Sequence, residues 1–112
     1  MAKYPGYAGA LGVSGSVRVF PKDATTQTVS FVLAGLEASK IGQVHVHSGT
    51  SCGTDGDVGG HYWNSASGAA DPWTKDNCPV SSNAAGVAIG SFDLAYGYDT
   101  MGSLAHTVHS RV

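Results

Sequence analysis

Charge is scarce in this sequence: 12% of its 112 residues are Asp, Glu, Lys or Arg, and the formal net charge is -2. The six Lys and Arg residues are scattered, which argues against a nucleic-acid partner, because neutralising phosphates needs clustered cations. No apolar run approaches the roughly 18 residues of a membrane-spanning helix, so no membrane partner is expected. The opening Met1-Ala2-Lys3-Tyr4-Pro5-Gly6 lacks the apolar stretch of a signal peptide. That lack is compatible with a domain cut from a longer secreted protein. No segment sustains apolar residues at helical spacing, and no internal repeat is visible. No phosphate-binding Gly-x-x-x-x-Gly-Lys loop is present, and a Ser/His/Asp set could be assembled from any sequence this rich in serine, leaving nucleotide chemistry and acyl transfer without support.

What is present favours strands. Sixteen glycines among many Ser, Thr and Ala residues suit tight turns. Disorder is the competing reading of that composition, but large apolar residues recur throughout the chain. Val13–Phe20 places Val13, Val17 and Val19 on one face and ends at Pro21-Lys22-Asp23; Gln27–Leu33 turns Val29, Phe31 and Leu33 inward. Ile41–His47 alternates Val44 and Val46 with His45 and His47. From Ser48 to Ala85 periodicity vanishes in a polar, Gly-rich stretch, and a loop of that length in one domain is usually functional. Strand character returns at Gly86–Leu94, with Val87, Ile89, Phe92 and Leu94 as core residues around a bulge, and again at Ser103–Arg111. Short strands between turns predict one all-β domain over 1–112, an antiparallel sandwich or barrel.

Cys52 and Cys78 both lie in Gly/Ser/Asn/Pro-rich sequence. A disulfide between them would close a loop of about 25 residues and contribute about 3 kcal/mol in the chain-entropy account. Loop cysteines are poor core residues and low charge suits secretion, so a disulfide and an extracellular location are expected. The alternative is two unpaired thiols in a cytosolic protein.

His45-Val46-His47 is the sharpest local feature. Residues two apart on a strand share a face, ~7 Å apart at Cα, so the imidazoles can converge on one ion. With Val44 and Val46 in the core, the histidines face outward. His61 follows Gly59-Gly60, whose backbone freedom lets a loop histidine fold back over the strand. If Val108 faces the core, His109 faces out, while His106 points inward or caps the strand. Imidazole serves copper and zinc alike, and only its neutral form ligates, so binding should weaken below about pH 6. Solvated or aromatic-stacked histidines are the plainer alternative.

Gln43-Val44-His45-Val46-His47-Ser48-Gly49-Thr50-Ser51-Cys52, followed by Gly59-Gly60-His61-Tyr62, resembles the signature of the copper/zinc superoxide dismutase family. The preceding hairpin, with Gly35-Leu36 after it, has the family order, and Gly86-Val87-Ala88 and Thr107-Val108-His109 match more loosely. The resemblance implies a Greek-key β-barrel with one long disulfide-tethered loop. It also implies copper held by His45, His47, His61 and His109, with His61 in the place of the histidine that bridges copper and zinc. Superoxide is the implied substrate.

The departures are as informative. No histidine lies between His61 and Cys78, and Asp71 and Asp76 alone make a poor zinc site. The chain therefore looks like the copper-only branch of the family, without zinc. Cys78 would replace the family's second cysteine. Arg111, two residues past His109, could draw an anionic substrate to copper, against the plainer reading of a solvated arginine. Without the family's closing strand an edge stays open, unless Met1–Leu11, a homodimer partner or a neighbouring repeat domain covers it. Asp55 and Asp57 offer oxygen ligands for calcium, and Trp63, Trp73 and the tyrosines a carbohydrate face or a small loop core. The competing functional class is a non-catalytic copper-binding or structural domain.

Overall fold

The computed structural model describes residues 5–98 and 109–111. Its strands are β1 (Ser14–Pro21), β2 (Gln27–Ala34), β3 (Ile41–Gln43), β4 (His45–His47), β5 (Pro79–Ser81), β6 (Ala88–Leu94) and β7 (His109–Arg111). They form three antiparallel sheets, ordered β1-β2-β6, β3-β5 and β4-β7. The only helical turns among the described residues are α1 (Asp55–Val58) and a 3-10 turn at Ser65–Ser67. The chain is all-β.

The period-two pattern of β2 sets the core. Val29 and Leu33 are fully buried and Phe31 nearly so, while Val13, Val17 and Val19 pack against them from the β1 side. Each such aliphatic side chain removed from water contributes about 1.5–3 kcal/mol. The β1–β2 connection is closed by Lys22 N–H donating to the Thr26 carbonyl and by Asp23, whose Oδ1 accepts from the Thr25 and Thr26 amides. Lys22 and Thr28 both bond Asp93 on β6, tying the hairpin to its neighbour.

Three sequence expectations are corrected. The strand expected over Ile41–His47 divides at Val44, and its halves take different partners, β5 and β7. β5 itself was hidden: it has three residues and a proline at its head, and only Val80 is buried. In β6 the register runs unbroken from Gln27↔Leu94 to Leu33↔Ala88, so there is no bulge. Ala88, Phe92 and Leu94 share the core face, and Ile89 is 74% exposed. The apolar character of Val87 and Ile89 pointed to the wrong parity. Gly90 occupies the core-face position between Ala88 and Phe92, where an added Cβ would come within 3.0 Å of the Phe31 ring.

The expected Cys52–Cys78 disulfide is not formed either. Both thiols are free; Cys52 is exposed, whereas Cys78 is fully buried and its thiol donates to the Thr74 carbonyl at 2.8 Å. Cys78 stands just before β5 and is a core residue despite its polar neighbours in sequence. Burial, helped by the Asp71 charge, pushes its pKa up to about 11, so the thiolate is scarce at neutral pH. A maleimide should therefore label one thiol per native chain, at Cys52, and a second only after denaturation. Failure to label any thiol in the denatured, unreduced chain would contradict this arrangement.

Candidate metal centre

β4 carries a single core residue, Val46, between two histidines. Burying Val46 turns His45 and His47 to the other face, where both are half-buried and their ring centroids lie 6.3 Å apart. His61 is brought to this pair by backbone bonds. Ser48 N–H donates to the Gly60 carbonyl at 2.9 Å, Tyr62 N–H to the Val46 carbonyl at 2.7 Å, and His47 and His61 form an antiparallel bridge. β4 thus has β7 along one edge and the His61 segment along the other.

Two glycines make that approach possible. At Gly49 the amide donates to the Val58 carbonyl at 2.8 Å, and an added Cβ would sit 1.9 Å from the Asp57 carbonyl oxygen. Gly59 ends α1 with a φ of 71°, in the left-handed region that favours glycine. Of the pair Gly59-Gly60 only Gly59 has this requirement; Gly60 faces open space. The first turn of α1 holds Asp55 and Asp57, with Thr54 capping it and Val58 buried beneath. The two aspartates are exposed, and their charge suits a helix start.

The result is a cluster in which one ring nitrogen from each of His45, His47 and His61 lies within 4.8 Å of the others. The His61 ring is 4.3 Å from that of His45 and 5.3 Å from that of His47. Hydrogen bonds fix two tautomers. His47 Nδ1 is 2.9 Å from the Gly59 carbonyl, which can only accept, so Nδ1 carries the proton and Nε2 is left as a ligand. His61 Nδ1 is 2.7 Å from Asp71 Oδ2 and donates to it, again leaving Nε2. His45 Nε2 is buried and has no hydrogen-bond partner. Three converging imidazoles, two with their outer nitrogens held and one with an orphaned buried nitrogen, fit a metal ion.

The electrostatics favour a neutral His45 and an ionised Asp71. Burial lowers the His45 pKa, and the neighbouring His61 and His47 lower it further against an opposing pull from Asp71. For Asp71, burial raises the pKa, but the Trp73 amide and the His61 ring together outweigh burial and hold it below the usual range. A histidine whose pKa is lower folded than unfolded binds fewer protons in the native state. The metal-free protein should therefore lose stability as pH falls from the ordinary histidine value of 6.5 through the depressed one. Denaturant titrations across that range check it, and His45→Gln should flatten the slope.

Of the residues expected from sequence, the structure brings together His45, His47 and His61. β7 places His109 in register with His47 and Arg111 in register with His45. His106 lies outside the described residues. Two contributors were not foreseen. Asp71 holds His61, and Trp73 packs its ring 6.2 Å from His45 while its Nε1–H donates to the Tyr62 carbonyl at 2.8 Å. The Asp-Pro-Trp sequence carried a turn signal that marks Asp71: its Oδ1 accepts from the Trp73 amide at 2.9 Å. No family model matches the chain, and no curated protein or solved structure matches it either, so the centre is defined by its own geometry.

Proposed function

We propose that this domain is a copper-only superoxide dismutase, with copper held by His45, His47, His61 and His109. The observation that carries the reading is the His61–Asp71 bond. The histidine that resembles the family's metal-bridging residue has one ring nitrogen turned to its two histidine neighbours. A carboxylate takes the other, where a second metal would bind. The register of His109 beside His47 supports it as the fourth ligand. On this reading the three sheets belong to one Greek-key barrel.

Bound copper would supply alternating one-electron oxidation and reduction, by which two superoxide ions and two protons become dioxygen and hydrogen peroxide. The chain's part is to hold and orient. Gly59 and Asp71 fix the rings of His47 and His61 by their outer nitrogens, which also strengthens the inner nitrogens as bases. When His61 Nε2 is not a ligand it can hold a proton for the peroxide product, and the Asp71 carboxylate steadies the resulting imidazolium. Arg111, in register with His45, supplies positive charge that favours an anionic substrate.

The test is superoxide decay with copper-loaded protein, normalised to tightly bound copper and compared with free copper plus chelator. Accelerated decay supports the proposal; stoichiometric copper without acceleration reduces the domain to a copper-binding module. Asp71→Ala should lower copper affinity or turnover by about 10–100-fold, the range for groups that orient metal-bound histidines. Isothermal titration and the same decay assay read the two effects separately.

A further inference from the structure

An unbroken line of aromatic rings leads from the histidine cluster to the surface. The His45 ring lies 6.2 Å from Trp73, Trp73 stacks on Tyr96 at 6.5 Å and 13°, and Tyr96 is 5.5 Å from Tyr62 and 6.3 Å from Tyr98. Tyr62 and Tyr98 stack at 5.2 Å. Exposure rises along the line, from 3% at Trp73 to 40% at Tyr98. These four are the side chains most easily oxidised by one electron after thiols, and they are spaced closely enough for an electron to pass from ring to ring.

We propose that Trp73, Tyr96, Tyr62 and Tyr98 form a hole-transfer relay that draws oxidising equivalents from the metal centre to the surface and so spares the histidine ligands. The proposal rests on the reading of the centre as a redox copper site. The source is hydrogen peroxide, the product of dismutation. Copper held by His45, His47 and His61 would supply one electron to peroxide, whose O–O bond then cleaves to hydroxide and a hydroxyl-level oxidant. That oxidant takes one electron from Trp73 and becomes a second hydroxide. An electron from Tyr98, passed through Tyr96 directly or by way of Tyr62, refills the Trp73 cation radical, and the Tyr98 phenolic proton leaves to bulk water. The neutral phenoxyl radical at Tyr98 is then reduced by an external thiol or ascorbate, with return of a proton.

The direction of travel follows from the surroundings. Trp73 Nε1–H donates to a backbone carbonyl, too weak a base to take its proton, so the hole stays mobile. Tyr96 is partly buried against the core. It stands between the buried Trp73 and the exposed Tyr98, so it passes the hole outward. Tyr98 borders water, where proton loss ends the transfer.

The experiment needs no metal. In Trp63→Phe protein, where Trp73 is the sole tryptophan, pulse-radiolytic oxidation by azide radical should give an indolyl absorbance that decays into phenoxyl absorbance, first order and independent of protein concentration. Adding Tyr96→Phe, which keeps the ring and removes only the hydroxyl, should slow that transfer at least about tenfold. Adding Tyr98→Phe should remove most of the phenoxyl product. Indolyl decay without phenoxyl growth, or a rate unmoved by Tyr96→Phe, overturns the relay. A second arm treats copper-loaded protein with peroxide and maps oxidised peptides. Oxidation should move from Tyr98 in the parent protein to the histidines and Trp73 in Tyr96→Phe, and identical maps also overturn it. A chain that binds no copper sinks the functional reading while leaving the metal-free transfer measurable; copper binding without transfer sinks the relay alone.

Discussion

Replacing His61 by alanine is expected to lower copper-dependent superoxide decay by about 100-fold or more at saturating copper, while the fold persists. On the proposed reading the imidazole is both a ligand and the group placed to carry a proton, and a positioned acid–base group alone contributes about 10²–10⁴ in rate. The backbone bonds that dock this segment, from Ser48 to Gly60 and from Tyr62 to Val46, do not involve the ring. The side chain is half-buried rather than part of the core. Far-UV circular dichroism and the urea midpoint of the metal-free variant should thus stay near those of the parent. If copper binds the variant more weakly but decay at saturation is unchanged, His61 serves affinity only and the metal-storage alternative gains the ground.

The parts legible in the sequence were those governed by strict alternation or by a short motif. Val29, Phe31 and Leu33 in β2, and Val44 and Val46 around the histidines, are buried as the period-two pattern requires. The placement of His45 and His47 away from the core follows from the same parity. Alternation misled where the core face of a strand includes glycine and alanine. In β6 the inward row is Ala88, Gly90, Phe92 and Leu94, and the apolar Ile89 on the outer row pairs across to the exposed Val32. Local composition misled at Cys78, because burial there is decided by Trp73 and Val80 arriving from the same long segment, a tertiary fact invisible in a window of neighbours. The site showed the same division. Its three histidines were readable one by one, but Asp71, ten residues past His61, matters only because the loop folds back and presents its carboxylate to that ring.

That folding back leans on Trp73, and Trp73→Ala should be strongly destabilising. The indole is 3% exposed and belongs to the core cluster with Val46, Cys78 and Val80. Truncating a buried tryptophan costs about 3–5 kcal/mol, a large share of the roughly 5–15 kcal/mol available to a domain of this kind. The change also strips the Tyr62 carbonyl of its indole donor, one of the few bonds that fasten the His61 segment from the side opposite β4. Losing that bond loosens His61 and Asp71 together, so copper affinity should fall along with the urea midpoint. Trp73→Phe separates the two contributions: it restores most of the apolar packing but not the Nε1–H bond, and should recover more stability than affinity. A urea midpoint for Trp73→Ala close to that of the parent would mean that the long segment is held by its backbone bonds alone. Equal recovery of stability and affinity in Trp73→Phe would mean that packing, not the indole hydrogen bond, keeps His61 in reach of His45 and His47.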